Sequence, residues 1–439
     1  MPKLSALAVL PSASARLGRD FLAFWAGQTL SNLGSSFTIF ALPLLVYKLT
    51  GSAVNLALAG AASFLPYLLF GMAIGAWVDR VDRKRLMIAV DIGRALVMVT
   101  IPLLAALDQL AIWWIYVVIF VATTLTIAFD AGEFAAIAHL VAPEDLVLAN
   151  GRIQASYSAA SVVGPLLAGA LLAIVAVPAL LLFDALTFLL SAGSLLAVRR
   201  SFNTTADEQP EPASAATSIR QDIIEGLKYV LGHPVLRQIS LMMVLTNFVG
   251  ATISGQLVLF AQQRLHATNS QVALLFAAEG AGVVVLALLA DSLRKRFGFS
   301  AVALGALVMY GLMTVAVAAT PWFWLAMPIW ALAWGSAILF NINANSLRQS
   351  IAPREMLGRV MTVASALGWS AVPIGLLIGG LLIQATGRVA LIYAGIGTII
   401  IVIGVVFSFT AVGHADRYIL PPAPAAETQG AGNVSEAGA

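Results

Sequence analysis

The twelve residues from Gly75 to Leu86, GAWVDRVDRKRL, place six charged side chains among the seven positions 79–85. Long apolar runs lie on both sides of them. Only 10% of the 439 residues are charged, 60% are hydrophobic, and the mean hydropathy is +0.93. Soluble domains are about 45–50% apolar and about 25% charged. The composition therefore predicts a membrane protein, with this charged stretch in a short loop between two spans.

Twelve apolar runs reach about 20 residues, the length that crosses a bilayer as a helix. They cover residues 21–47, 53–78, 86–107, 111–137, 147–174, 178–198, 236–263, 270–290, 299–319, 322–347, 357–384 and 388–412. The chain contains no cysteine, and its four histidines show no metal-ligand spacing, so we expect no cofactor and no metal. No catalytic or phosphate-binding motif is present, so we expect neither an enzyme nor an ATP-driven pump.

The lysines and arginines predict the orientation of the spans. With the N-terminus inside, thirteen of them fall on the cytoplasmic side: Arg80, Arg83, Lys84, Arg85, Arg199, Arg200, Arg220, Lys228, Arg294, Lys295, Arg296, Arg348 and Arg354. Only Lys48, Arg264 and Arg388 fall outside. We therefore expect a multi-pass protein of the cell (inner) membrane with both termini cytoplasmic. Cleavage of the first residues as a signal peptide would favour the inverted topology, against this bias.

The sequence divides into four segments. Residues 1–200 and 236–413 each contain six spans, and residues 414–439 have the composition of a disordered cytoplasmic tail. Residues 201–235 form a cytoplasmic linker whose second part, from 219 onwards, has the apolar spacing of an amphipathic helix. That helix could lie on the inner membrane surface or pack on the cytoplasmic ends of the bundle.

Two stretches of the first half recur in the second. ADSLRKRFG around Asp291 repeats the pattern of VDRVDRKRL around Asp79, and SIAPREML at 350–357 repeats LVAPEDL at 140–146. Both pairs are offset by about 210 residues. We therefore predict an all-α membrane protein of twelve transmembrane helices in two parallel six-helix repeats, with a substrate site near the midplane between them.

The charged loop resembles the loop 2–3 signature of the major facilitator superfamily. The matching residues are Gly75, Asp79, Arg80, Arg83 and Lys84, with Asp291, Arg294 and Lys295 as the counterparts in the second half. The family usually has a glycine where this chain has Asp82. The resemblance implies a gate, in which Gly75 lets two helices approach and Asp79 caps the next helix or pairs with an arginine. The alternative is a loop that serves topology only.

Several stretches resemble the macrolide-efflux and enterobactin-exporter-like branch of that family. They are FWAGQTLSNLGSS at 24–36, GSAVNLALAGAASFLPYLLFGMAIGAWVDR at 51–80 and LGRVMTVASALGWSAVPIGLLIGG at 357–380. In span five, Gly164, Pro165 and Gly169 resemble the antiporter signature of drug–proton exchangers, although a kink without bearing on direction is the alternative. Related drug antiporters carry an arginine in span four, and span four here has none.

Charged residues inside the spans are costly and mark candidate functional sites. Asp91 and Arg94 in span three, and Asp130 and Glu133 in span four, stand three residues apart on one helix face. Arg94 and Asp130 both lie roughly 12 Å deep and could pair. Our hypothesis is that Asp130 and Glu133 carry an exchanged proton and that Arg94 biases their titration. The alternative is a static ion cluster. Asp184 and Glu279 are weaker candidates.

The resemblance implies a cavity lined by spans one, four, seven and ten. The candidate lining residues are Gln28, Asn32, Ser36 and Phe40 in span one, Asn247 and Gln256 in span seven, and Trp330, Trp334, Asn341 and Asn345 in span ten. Amide and aromatic groups together suit a large, amphipathic, weakly charged ligand.

Together these observations predict a monomeric, proton-coupled secondary transporter that exports hydrophobic or amphipathic small molecules, such as macrolide-like drugs, by alternating access. Its expected partners are the small-molecule substrate, protons and the lipid bilayer, with no nucleic acid. Two alternatives remain: a transporter of a specific metabolite such as a siderophore, and a non-transporting membrane sensor of the same fold. A sensor would be expected to lack carboxylates inside the membrane.

Overall fold

A computed structural model describes residues 17–78, 80–203, 219–353 and 356–418, and every element in these ranges is helical. The first half contains α1 (Arg19–Thr50), α2 (Ala53–Val78), α3 (Arg83–Ala106), α4 (Ile112–Leu140), α5 (Leu146–Leu171) and α6 (Val177–Ala197). The second contains α7 (Ile219–Gly232), α8 (Pro234–Gly255), α9 (Leu257–Arg264), α10 (Asn269–Ala319), α11 (Phe323–Ile351), α12 (Leu357–Thr386) and α13 (Val389–Ser408). Short 3-10 helices cover Pro143–Asp145 and Ala411–Tyr418.

Ten of these helices are long and apolar enough to cross a membrane. Helix α5 is longer than the minimum but less apolar, and α10 is long enough for two crossings. Gly298, with φ 81°, breaks α10 between residues 269–297 and 299–319. The predicted seventh span is also two helices, α8 and α9, that meet at Gln256. The described chain thus supports the predicted twelve crossings, in an all-α fold.

The carboxylate of Asp416 caps the second segment of α10. It accepts hydrogen bonds from the backbone N–H groups of Phe299 (2.8 Å) and Ser300 (3.2 Å), two donors that a new helix start leaves without a helical partner. The Ser300 hydroxyl in turn accepts from the Ala415 N–H at 3.1 Å. Residues 414–418, which the sequence assigned to a disordered tail, are therefore helical and bonded to α10. Residues 419–439 lie outside the described ranges.

Helix α7 packs on the start of α12 in its own half. A Cβ on Gly226 would lie 3.0 Å from the Arg359 carbonyl oxygen, Val230 is buried, and Glu225 pairs with Arg359 at 2.5 Å. Of the two arrangements that the sequence allowed for this amphipathic helix, the structure has the one packed on the bundle. Its contacts lie at the start of α12.

We call the face of the bundle that carries Arg19 and Leu357 the N-terminal face, and the opposite one the far face. The two halves meet along two seams, α2 with α12 and α5 with α10. In a repeat of six crossings these seams are equivalent, because α2 corresponds to the first segment of α10 and α5 corresponds to α12. The two halves are therefore joined symmetrically about the cavity between them.

The hydrogen bonds that join the halves among the described residues all lie at the far face. Gln384 accepts from the Ser52 hydroxyl and the Ala53 N–H, and Gln256 donates to the Ala53 carbonyl at 2.8 Å. On the second seam, Ser270 donates to the Gly169 carbonyl at 3.1 Å. At the N-terminal face the described loop contacts stay within one half, as in the Lys84–Val198 hydrogen bond. The cavity is closed from the far face.

Candidate functional site: a cavity between the two halves

A cavity of about 550 Å³ lies between the halves, with most of its wall supplied by the first half. Among the predicted lining residues, Gln28 and Asn32 of α1 border it. The Gln28 amide also donates to the Ser191 hydroxyl at 3.1 Å, which fixes α1 against α6. Apolar side chains such as Ile39, Phe64 and Leu376 make up much of the remaining wall. The cavity therefore suits a largely apolar ligand with a few polar groups.

The predicted lining role of Ser36 is wrong in this conformation. Its hydroxyl is buried and donates to the Leu33 carbonyl at 2.6 Å, and a Cβ on Gly164 would lie 1.6 Å from it. Gly164 thus lets α5 contact α1 closely, and Gly169 does the same for α5 and α10, where its Cβ would lie 2.6 Å from that of Ala273. Pro165 lies between them inside α5.

Three more predicted lining residues also lie elsewhere. Gln256 is fully buried in the far-face seam, where it bonds Ala53 across the halves. Phe40 is fully buried against the Phe276 ring, with ring centroids 5.7 Å apart. Trp330 is buried against Trp334, with ring centroids 5.9 Å apart. These side chains contribute to packing rather than to the cavity wall.

Asp91 and Arg94 form an ion pair within α3. The Arg94 Nη2 lies 2.6 Å from Asp91 Oδ1, and both side chains are almost fully buried. The guanidinium also stacks over the rings of Phe129 (4.2 Å) and Phe188 (4.5 Å). Arg94 does not pair with Asp130, as the sequence allowed, because its guanidinium is already paired with Asp91, one turn away on the same helix.

Asp130 and Glu133 have different surroundings although they share one face of α4. Asp130 is exposed and borders the cavity, and the buried Arg94 borders it too. Glu133 lies behind it, only 7% exposed, and accepts a hydrogen bond from the Tyr157 hydroxyl at 3.1 Å. Tyr157 also borders the cavity. The arrangement joins a buried carboxylate to the cavity through one hydroxyl group.

Asp184 and Glu279 border the same cavity from opposite halves. Asp184 is fully buried and accepts hydrogen bonds from the hydroxyls of Thr38 and Ser35, so α1 and α6 are tied together there. Glu279 of α10 is the acidic residue that the second half supplies to the cavity wall. Asp184 thus has the surroundings of a helix-packing residue, whereas Glu279 borders the open space of the cavity.

A second cavity of about 450 Å³ lies within the second half and adjoins the first at Phe64 and Ser254. The predicted residues Asn247, Trp334, Asn341 and Asn345 line this second cavity instead of the central one. The Asn247 amide donates to the Gly368 carbonyl at 3.1 Å, which ties α8 to α12. Arg348, which the sequence suggested only as a topological charge, also borders it.

The charged loop between α2 and α3 makes contacts within the first half. Arg83 Nη1 donates to the Phe202 carbonyl at 3.1 Å, and Lys84 Nζ donates to the Val198 carbonyl at 2.5 Å. Asp82, where the family usually has glycine, caps α3 by accepting from the Arg85 N–H at 3.0 Å. Asp82 thus caps α3, and Asp79, predicted to cap this helix or to pair with an arginine, lies outside the described residues.

The remaining loop residues show local contacts only. Among the described residues, a Cβ on Gly75 would meet nothing within 4 Å, so none of them makes the predicted close helix approach at Gly75 in this conformation. Arg80 is exposed. In the second half Asp291 pairs with Arg294 at 2.7 Å and with Lys295 at 2.6 Å, all partly or largely exposed.

Three residues that matter to the site were not predicted as site residues. Tyr157 connects Glu133 to the cavity, Gln384 joins the halves at the far face, and Arg348 lies in the second cavity. Tyr157 lies on α5, which sequence reasoning did not count among the lining spans. Only its position seven residues before the Gly164–Pro165 pair, two turns along one helix face, could have suggested it.

Comparison with known proteins establishes the family. The model of the Major Facilitator Superfamily matches residues 24–372, so the chain belongs to that superfamily of transporters. It is 25% identical over 370 residues to macrolide efflux protein A of Streptococcus pyogenes, covering 84% of this chain and 90% of that one. It is 26% identical over 376 residues to the multidrug efflux pump Tap of Mycolicibacterium fortuitum, covering 81% and 87%.

Solved transporter structures share the fold at low sequence identity. The nucleoside transporter NupG aligns with a TM-score of 0.69 and 11% identity, covering 89% of this chain and 98% of that one. A bacterial homologue of the iron transporter ferroportin, described as inward-facing, aligns with a TM-score of 0.68 and 17% identity, covering 89% and 99%. The two-half transporter fold is therefore common to all three.

Proposed function

We propose that this transporter exports hydrophobic or amphipathic small molecules in exchange for protons, by alternating access. The central cavity carries the proposal: it is large, mostly apolar and bordered by the carboxylates of Asp130 and Glu279. A cavity of this size and character would hold a macrolide-like ligand in part or a smaller drug entirely. The relatives named as macrolide and multidrug efflux proteins support the same substrate class.

The proton step of the proposal rests on the arrangement around Glu133. A carboxylate that is nearly buried, with one oxygen bonded to a cavity-facing hydroxyl, can take up a proton when the cavity is wet and lose it when its surroundings change. The second oxygen, Oε1, has no hydrogen-bond partner among the described residues. Asp130 borders the cavity one turn before Glu133 on α4 and would exchange the proton with it.

We also propose that the N-terminal face is cytoplasmic, that the protein lies in the cell membrane and that it acts as a monomer. The excess of lysine and arginine at the N-terminal face supports this orientation. With that orientation, the present conformation is closed to the outside, and substrate would enter from the cytoplasm. The charged loop between α2 and α3 would then act as a gate on the cytoplasmic side.

The test is accumulation of a labelled macrolide in an efflux-deficient bacterium that makes this protein, before and after the proton gradient is collapsed. We expect lower accumulation than in vector-only cells, with the difference removed by collapse. Asp130→Asn and Glu133→Gln should each abolish the difference. Glu144→Gln, which removes an exposed carboxylate from the loop before α5, is the matched control and should keep it.

Two results would contradict the proposal. If Asp130→Asn and Glu133→Gln both keep full gradient-driven export, these carboxylates form a static cluster. If accumulation equals that of vector-only cells while the protein is present in the membrane, macrolides are not substrates. The second result would favour a specific metabolite such as a siderophore.

A further inference from the structure

Arg348 of α11 is a buried cation without a counter-ion among the described residues. Its side chain is 2% exposed, and its hydrogen bond is from Nη1 to the Asn345 side-chain oxygen, at 3.2 Å. The atoms Nε and Nη2 have no partner in the part of the chain that the structure describes. A buried charge is normally paired, because removing an ion from water is costly unless another charge or several hydrogen bonds replace the water.

The unpartnered atoms lie on one edge of the guanidinium plane. Nε and Nη2 carry three of its five N–H donors, and together they form the fork that binds the two oxygens of a carboxylate or a phosphate side by side. Arg348 borders the second cavity, and both atoms of this fork are themselves buried. The geometry is that of a recognition group whose ligand is an oxyanion.

Polar groups of the same cavity would complete the site. Asn341 and Asn345 lie about two turns and one turn before Arg348 on α11 and line the same wall. Because the Asn345 oxygen faces the guanidinium, its amide N–H group is left for a ligand. Trp334 and Met243 supply apolar surface beyond them. The cavity can therefore hold an anionic head next to Arg348 and an apolar body farther in.

We propose that the second cavity is a binding site for an oxyanion group, a carboxylate, phosphate or sulfate, held side-on by Arg348 and assisted by Asn345. The anion can come from a soluble amphipathic anion or from the headgroup of an anionic phospholipid. The site lies within the second half, so it does not depend on the proton step or on export of macrolides. A failure of the proposed function would leave it unchanged.

The test uses the full chain purified in an uncharged detergent. Thermal unfolding, followed by the fluorescence of its nine tryptophans, is measured against rising sulfate, phosphate or hexanoate at constant ionic strength set with chloride. A ligand that binds only the folded state raises the midpoint in a saturable way. Arg348→Gln and Arg348→Lys are compared with Arg237→Gln, which removes an exposed positive charge on the same face of the same half.

We expect the midpoint of the unaltered protein and of Arg237→Gln to rise and saturate with at least one of the anions. Arg348→Gln should weaken the apparent affinity by about ten-fold or more, the cost of losing hydrogen bonds to a charged group. Arg348→Lys keeps the charge but lacks the paired N–H groups, so its apparent affinity should lie between those of the unaltered protein and of Arg348→Gln. Because this second variant preserves the positive charge, it covers the case in which Arg348→Gln does not fold.

Mass spectrometry of the intact protein released from membranes separates the two sources of the anion. A phospholipid retained by the unaltered protein and lost in Arg348→Lys assigns the site to a lipid headgroup. Saturable stabilisation by a soluble anion without a retained lipid assigns it to a soluble ligand. The proposal is overturned if neither occurs, or if both Arg348 variants respond as the unaltered protein does.

Discussion

At the scale of single residues, the charges inside the membrane differ in how completely they are satisfied. Asp91 and Arg94 are paired on one helix, although Asp91 Oδ2 and Arg94 Nε have no hydrogen-bond partner among the described residues. Asp184 accepts hydrogen bonds from two hydroxyls of α1. Only one oxygen of Glu133 accepts a hydrogen bond from the described residues. The Nε and Nη2 atoms of Arg348 have no hydrogen-bond partner among them. Asp184 therefore has the surroundings of a structural residue, whereas Glu133 and Arg348, which have unused atoms and no ion-pair partner among the described residues, are the candidates for protons and ligands.

The Asp91–Arg94 pair gives a stability prediction at this scale. Removing either partner, as in Asp91→Asn or Arg94→Met, should destabilise the protein by about 3–5 kcal/mol, because a buried charge is left uncompensated. The double variant should recover much of that loss, since neither charge then remains. Thermal unfolding midpoints in detergent would rank the three variants.

Transport by the double variant separates two roles of Arg94. If Arg94 only fixes packing, the stable double variant should export as well as the unaltered protein. Loss of export despite recovered stability would assign Arg94 to the proton step. A double variant no more stable than either single variant would contradict the pairing itself.

At the scale of helices, glycines determine where elements approach. Gly226 allows α7 to lie against the start of α12, and a side chain there would press on the Arg359 backbone. Gly232, at the end of the same helix, has open space around its Cβ position. The two glycines of α7 therefore differ in what a substitution would disturb, although both are helical.

We expect Gly226→Val to detach α7 from α12, because the added side chain would need backbone of α12 to move. Hydrogen exchange of residues 219–232 should then rise by about ten-fold or more, equivalent to about 1.4 kcal/mol less protection. Gly232→Val is the matched control and should leave exchange in the first two turns unchanged. Equal exchange in the two variants would contradict a packed α7.

Sequence reasoning identified the crossings because run length and charge bias depend on the bilayer, not on neighbouring helices. Sequence reasoning did not predict correctly which way the side chains of α1 face. Successive four-residue steps turn about 40° farther around a helix of 3.6 residues per turn. Gln28 and Asn32 therefore face the cavity, whereas Ser36 has turned toward α5 and Phe40 toward α10. Arg348 was missed because the burial of a charge depends on surrounding helices.

At the scale of the whole molecule, the two seams together close the cavity at the far face. Both join a helix of one half to a helix of the other, and both have their inter-half hydrogen bonds, among the described residues, at the far face. A movement that separates α2 from α12 there would also separate α5 from α10. Alternating access, as proposed, would require these bonds to break once in each cycle.

Locking the far face tests this requirement. The chain has no cysteine, so Ser52→Cys with Gln384→Cys creates a single thiol pair, at positions whose side chains are within 3.3 Å hydrogen-bond contact. A short bifunctional thiol reagent with a cleavable disulfide should link the halves and stop transport, and a reductant should restore it. Each single-cysteine variant, treated in the same way, is the control. Full transport by the linked protein would contradict opening at this face.

The side chain of Gln384 is exposed at the far face, which has a consequence for the energy of the proposed cycle. Gln384 accepts a hydrogen bond from the Ala53 N–H, at the beginning of α2. Water can accept from this N–H equally well once the two helices separate. Exchanging such bonds for bonds to water changes free energy by only about 0.5–1.5 kcal/mol each. These hydrogen bonds therefore contribute little to the difference in stability between the closed and the open seam. Under the proposed alternating access, cargo and ions would need only a modest preference between conformations to offset their loss.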